Sequence, residues 1–396
     1  MDICIISDLY PPEVIGGAEK HAHADASTLV EKGHSVNVIT TGADIPLSHI
    51  RRSFHDGVDV HRFEPFNLYP PYHFQDVPSW KKALRHGINL WNPHATLSIK
   101  EILGRVDPDI IHIHNYRGFS TGVFKAAASV GVPTIHTLHD YASIHLRSNL
   151  FADGEPINPG KLAVPYYRYN DTIISRYVDM IIAPSQFIID KHRELGMFKD
   201  VPCRRVQLGS TSTITEEPDD GTSQNTRLNL LYVGQHTYEK GVDLLIDAVG
   251  PMKEKGVKLD ILGEGPETES LKEQAKQYEH VTVHGFVSEE KLERKYHQAD
   301  YTVVPSRWYD NSPMVIYESF AHNTPVIGAD IGGIPELVDH GKRGYLFTPD
   351  DRKDLRTTIQ ENMAESTRLT DNVKNWDRSL EDHVEELEGL YRELTG

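Results

Sequence analysis

Short apolar runs bounded by turn residues alternate along the chain with stretches whose apolar residues recur every three to four positions. Runs at residues 3–6, 36–40, 110–114, 134–138 and 180–183 read as strands. Ala18, Ala22, Ala26, Leu29 and Val30 recur at helical spacing, and further helices are predicted over 119–130 and 185–195. The alternation lapses at residues 209–226, GSTSTITEEPDDGTSQNT, which reads as an exposed linker. It restarts with strands at 230–233, 259–262, 281–284, 301–304 and 326–327 and helices at 242–252 and 314–321. The predicted class is α/β, with two doubly wound, Rossmann-like parallel-sheet domains. Their expected bounds are 1–208 and 229–378, joined by a linker at 209–228. In the last segment, 379–396, Leu380, Val384, Leu387, Leu390, Tyr391 and Leu394 share one helical face that needs a surface to cover.

Composition narrows the field. A chain of 396 residues exceeds what one hydrophobic core usually serves, which agrees with two domains. Lys+Arg 41 against Asp+Glu 58 gives a net charge of -17, the wrong sign for wrapping a phosphate backbone, so no nucleic acid partner is expected. Only Cys4 and Cys203 occur, with no neighbouring cysteine to form a metal clip or redox pair, which points to a reducing, cytoplasmic setting. The start lacks the basic and long apolar regions of a signal peptide, and no transmembrane run occurs.

Ligands of open parallel sheets sit beyond the carboxyl ends of the strands, so two such sheets are expected to face a ligand across a cleft. Gly16-Gly17 lies between the first strand and first helix, where a phosphate could approach backbone amides; a tight turn would use the same glycines. Gly332-Gly333-Ile334 repeats the device in the second half. G-x-G-x-x-G does not follow Ile6, which removes the main support for a nicotinamide dehydrogenase. Lys240 follows a predicted strand as a point charge for phosphate, or as a solvated lysine. Asp310 lies in a strand-to-helix loop, and Glu318 lies among apolar residues where an unpaired carboxylate is costly, so Glu318 should have a partner. His139 follows a strand and can donate to a sugar hydroxyl. His112 and His114 share one strand face and read as packing or lining residues. Asp107-Pro108-Asp109 carries a D-x-D pattern but precedes its strand, the wrong end of the sheet for a catalytic metal.

Ten blocks in order, among them PPEVIGGAEKH, DPDIIHIHN, HTLHDY, VGQHTYEKGVDLLIDA, SRWYDNSPMVIYESFAHNTPVIGADIGGIPELV and GYLFTPDD, resemble glycosyltransferase family 4 along nearly the full chain. The resemblance implies a GT-B fold and a retaining, metal-independent transfer from a UDP- or GDP-sugar. It implies that Gly16 and Gly17 approach the donor phosphate and sugar, and that Lys240 with the amides of Gly333 and Ile334 holds the diphosphate. Glu318 would hold the ribose, Asp310 the transferred sugar, the main chain at Phe286 and Val287 the base, and His139 the sugar near its C6 hydroxyl. Gln235 stands where the family often has Arg, so another base such as Arg307 would have to help Lys240. Asp310 stands where the family has the first of two Glu, which bears on sugar specificity. No cofactor and no metal are expected.

The acceptor is read only as glycan, lipid-linked or small molecule. Trp80, Lys81, Lys82, Arg85 and Trp91 form a basic-aromatic cluster within residues 72–94, a candidate for acceptor or peripheral membrane contact; a solvated amphipathic helix fits equally. Two rivals use the same residues: a catalytically silent nucleotide-sugar-binding protein, and an epimerase on the same two-domain fold.

Overall fold

The computed structural model describes residues 1–13, 16–67, 90–210, 228–374, 376 and 378–396. In chain order its first strands are β1 (Asp2–Ile6), β2 (Ser35–Thr41), β3 (Arg51–His55), β4 (Val58–Phe63), β5 (Ile110–Ile113) and β6 (Thr134–Thr137). They are followed by β7 (Phe151–Ala152), β8 (Glu155–Pro156), β9 (Met180–Ala183) and β10 (Cys203–Arg205). The remainder are β11 (Leu228–Val233), β12 (Val257–Leu262), β13 (Val281–Gly285), β14 (Tyr301–Val304), β15 (Val326–Ala329) and β16 (Gly344–Phe347).

Two compact units result, and neither is a continuous segment. The first comprises residues 1–148, 159–209 and 379–396; the second comprises 149–158 and 210–378. Residues 149–158, inside the span read as the first domain, thus group with the second unit. They form the β7–β8 hairpin, whose Phe151 ring lies 6.3 Å from that of Tyr238.

The first unit's sheet runs β10-β9-β6-β5-β1-β2-β4-β3, parallel except for the β3–β4 pair. Alternate strand residues Ile3, Ile5, Val36, Val38, Ile110, Ile135, Met180 and Ile182 bury one face under Ala26 and Leu29 of the helix Gly17–Glu31. Val384, Leu387, Leu390 and Tyr391 of the helix Leu380–Thr395 enter the same core. At roughly 1.5–3 kcal/mol for each buried large apolar side chain, that helix contributes substantially to the unit. Polar contacts fix its register. His383 Nε2 and His21 Nδ1 lie 3.4 and 3.0 Å from the two oxygens of Asp25, and Tyr391 Oη lies 2.7 Å from His112 Nδ1. Burial alone would raise the Asp25 carboxyl; the two histidines hold it well below the carboxylate range.

The second unit's sheet is fully parallel, in the order β13-β12-β11-β14-β15-β16. Leu230, Tyr232, Leu259, Ile261, Val303 and Ile327 pack with Leu245, Ile246 and Val249 of the helix Val242–Val249. In each sheet the strand order reverses direction at one place: between β1 and β5 in the first, and between β11 and β14 in the second. These are the switch points at which doubly wound sheets leave a crevice for ligands.

The predicted cluster at residues 72–94 lies largely outside the described residues. Trp91 is described; it is exposed and carries Lys125 Nζ 5.2 Å from its ring centre. Among the described residues no helix is long and apolar enough to cross a membrane.

Candidate functional site

In the second unit, the loops that follow β11 and β14 meet at the switch point through their backbones. Gly241 adopts φ +70, and a Cβ there would lie 2.0 Å from the Pro305 carbonyl oxygen, so only glycine permits this approach. The Arg307 amide donates to the Glu239 carbonyl at 2.8 Å. The join places Lys240 Nζ 2.6 Å from Asp310 Oδ2 and 5.0 Å from the Trp308 ring. Lys240 keeps 26% of its side-chain surface in solvent while Asp310 keeps 8%, so the lysine is the accessible partner.

Asp310 is also held by the glycine pair after β15. Gly332 has φ +64 with its missing Cβ 2.3 Å from the Asp310 carbonyl oxygen, and the Gly333 amide donates to that oxygen at 2.8 Å. The Ile334 amide donates to Ile331 O at 3.3 Å. Of the two amides expected to hold a diphosphate, that of Gly333 is engaged by the Asp310 loop and that of Ile334 by its own, and the glycine pair shapes the seat of Asp310. The reason is steric: the loop can wrap the Asp310 backbone only where side chains are missing.

Arg307 is not a spare cation for phosphate. Its guanidinium is buried, binds Asp243 through two nitrogens at 2.6 and 2.9 Å, binds Asp350 at 2.6 Å, and donates to the Tyr238 carbonyl. These carboxylates outweigh its burial and keep it firmly protonated. Gln235 is exposed, and its carbonyl accepts the Tyr232 hydroxyl at 2.8 Å.

Glu318 sits on the helix Met314–Ala321 directly after the Asp310 loop. Its partner is the Tyr296 hydroxyl, which donates to Oε2 at 2.8 Å. Burial first, then the neighbouring carboxylate, pushes the Tyr296 phenol well above its usual range, so it remains a donor. Beyond β13, Phe286 projects its ring with 81% exposure, its amide lies 3.3 Å from Glu264 Oε1, and Val287 packs against the group around Leu231, Leu262 and Tyr296.

In the first unit, the loops after β1, β5 and β6 collect a different set. Gly16 precedes the helix Gly17–Glu31 with φ -144, an extended conformation open to any residue, and its amide donates to Glu19 Oε2 at 2.7 Å. Gly17 begins the helix and is exposed. His139 Nε2 lies 2.9 Å from His114 Nδ1, and the His114 and His112 rings are 4.1 Å apart. Burial pulls His139 and His112 down to about 3 and His114 well below its usual range, so these imidazoles are neutral.

Sequence reasoning did not single out Asp8 or Glu19, both buried near the carboxyl end of β1. Asp8 accepts from the Gly118 amide at 2.9 Å, and burial raises its carboxyl to about 6, with Glu19 and Asp140 adding to the rise. Asp8 stands two residues past its strand, the positional signal that could have found it. Nearby, Tyr116, Arg117, Leu146, Tyr166 and Asn170 line a small recess with room for about one water molecule. Asp109, by contrast, accepts from the Asp2 amide at 2.7 Å where β1 and β5 begin, at the amino ends of the strands, opposite the crevice of that sheet.

Two family models match consecutive parts of the chain, "Glycosyltransferase Family 4" over residues 15–207 and "Glycosyl transferases group 1" over residues 213–377. An uncharacterized 42.6 kDa protein in the cps region of Klebsiella pneumoniae is 29% identical over 85% of this chain and 87% of its own. A glycogen synthase of Mycobacterium tuberculosis is 27% identical over 91% of this chain and 85% of its own. Among solved structures, Anabaena Alr3699/HepE in complex with UDP superposes with a TM-score of 0.70 at 17% identity, covering 100% of both chains. With two Rossmann-like sheets and these matches, the chain is a hexosyltransferase-type enzyme of the GT-B fold and belongs to the family 4, group 1 glycosyltransferases.

Proposed function

We propose that this enzyme is a retaining glycosyltransferase that moves a sugar from a nucleotide diphosphate donor, a UDP- or GDP-sugar, to a glycan, lipid-linked or small-molecule acceptor without a catalytic metal. The observation that carries the reading is the Lys240–Asp310 pair at the switch point of the second unit, with Asp310 eight residues before Glu318. An incoming diphosphate competes with Asp310 for the exposed lysine, and the released carboxylate then accepts hydroxyls of the sugar. Glu318, with Oε2 held by Tyr296, offers its other oxygen to the ribose. The main chain at Phe286 and Val287 receives the base. A UDP complex of a protein with the same fold supports a nucleotide donor.

In this scheme Lys240 neutralises the departing diphosphate, whose oxygen helps deprotonate the acceptor on the same face of the sugar. In the first unit, Gly16, Gly17 and neutral His139 are the groups assigned to the sugar. Cys4 and Cys203 are free, which suits the cytoplasm as the enzyme's compartment.

The test is a screen of nucleotide sugars by thermal shift, followed by measurement of donor hydrolysis and transfer. Glu318→Ala should abolish stabilisation by the nucleotide sugar while the fold survives, and unchanged stabilisation would remove Glu318 from the site. Lys240→Met should weaken nucleoside diphosphate binding more than nucleoside binding; equal losses would overturn its role. Binding with no hydrolysis or transfer in any acceptor screen would favour the silent binding protein.

A further inference from the structure

Strands β3 and β4 are joined by the two residues Asp56 and Gly57, with φ +49 and +78. Both lie in the left-handed region, the signature of a tight hairpin turn that Asp-Gly favours. A Cβ on Gly57 would lie 2.5 Å from Val30 Cγ1, so the missing side chain lets the turn rest on the helix Gly17–Glu31. His23 stands seven residues before Val30, two turns along the same helical face. The turn therefore brings His55 and Asp56 up against His23.

His23 Nε2 lies 3.3 Å and His55 Nε2 lies 3.4 Å from the same oxygen, Asp56 Oδ2. Bonds of about 2.0–2.2 Å in tetrahedral geometry separate neighbouring ligand atoms by about 3.4 Å, which is the spacing found here. The arrangement also has the outer partner that ligating histidines usually possess. The buried Tyr10 hydroxyl lies 3.0 Å from His23 Nδ1, which fixes the ring and directs Nε2 at Asp56. His55 and Asp56 are 52% and 57% exposed, which leaves a path for an ion and a fourth position for water.

We propose that His23, His55 and Asp56 form a binding site for a divalent ion of the zinc class, which clips the β3–β4 turn to the helix Gly17–Glu31. The ion is structural, takes no part in sugar transfer, and stabilises the first unit by mass action. A hydrogen-bonded cluster of the same residues without an ion is the competing account.

The full chain, purified without a histidine tag and stripped with chelator, is titrated with zinc by calorimetry and with cobalt by visible absorption. The wild type should bind one equivalent that His55→Ala and Asp56→Ala each weaken at least tenfold, and the tetrahedral cobalt bands should vanish in both variants. His49→Ala, which alters an exposed histidine outside the cluster, should leave binding as in the wild type. Because His55 and Asp56 are exposed, unchanged circular dichroism will show that the variants fold. Equal zinc binding by wild type and both variants, or no zinc binding at all, overturns the site.

Discussion

At its switch point the first unit gathers His112, His114 and His139, all neutral, beside an Asp8 carboxyl that burial has raised to about 6. At the corresponding point the second unit gathers Lys240 with Asp310 and Arg307 with Asp243 and Asp350, every charge answered by another. The same strand topology thus supports two electrostatic regimes. Burial without counter-ions suppresses charge in one, and close pairing preserves it in the other. Under the proposed function, the first surface would touch sugar hydroxyls and gain from neutral donors and acceptors, whereas the second would take a diphosphate and need charge ready to exchange.

Acidification should separate the regimes most strongly. In the first unit His112 and His139 are lowered to about 3, and His136 and His192 to about 4, all by burial. Below the unfolded value of about 6.5, the unfolded chain takes up protons that the folded unit refuses, so stability is lost as pH falls from about 6.5 toward 4. Asp8 and Asp140, whose carboxyls burial raises, act in the opposite sense, but they are two groups against four. In the second unit Asp260, held at about 2 by His284 and two lysines against the opposing effect of burial, loses its contribution only below about 4. Hydrogen exchange at pH 5 should show the first unit opening by several kcal/mol relative to pH 7 while the second changes little. Equal loss in both would break the comparison.

The next effect is steric. Gly241→Ala should cost about 3 kcal/mol or more, because the new methyl meets the Pro305 carbonyl in a backbone conformation unsuited to alanine. Denaturant unfolding, with donor binding measured on the folded fraction, checks it; a loss below about 1 kcal/mol would show that the two loops are less tightly joined. Asp8→Asn should be smaller and of opposite sign. A carboxyl raised to about 6 penalises the fold once it must ionise, so the amide should gain about 1–2 kcal/mol at pH 7.5, a gain that fades as pH falls through about 6 and vanishes below the unfolded value of about 3.9. A gain independent of pH would point to some other cause. Tyr296→Phe should be the mildest, costing about 1 kcal/mol and a few-fold in nucleotide affinity, because Glu318 loses one donor but keeps access to solvent. Titration of the variant with nucleoside diphosphate would reveal a larger role.

Much of this was legible before any coordinates. Strand and helix periods located both sheets, and the cost of an unpaired carboxylate required a partner for Glu318, which proved to be Tyr296. What escaped depended on contacts between distant segments. Nothing local distinguishes Arg307 as an internal tie to Asp243 and Asp350 from Arg307 as a phosphate ligand. The Gly333 amide looked available because its acceptor, the Asp310 carbonyl, lies 23 residues earlier in the chain. The β3–β4 hairpin did carry a local signal, the Asp56-Gly57 turn, that composition-level reading passed over.

The placement of the helix Leu380–Thr395 governs how the polypeptide can mature during translation. Val384, Leu387 and Tyr391 fill the core of the first unit, yet they follow the whole second unit in chain order. The first sheet must therefore wait on the ribosome, with Ile3, Val38 and Ile110 incompletely covered, until residues 380–395 emerge. A premature stop anywhere before residue 380 would leave that apolar surface open to aggregation, whatever the state of the second unit.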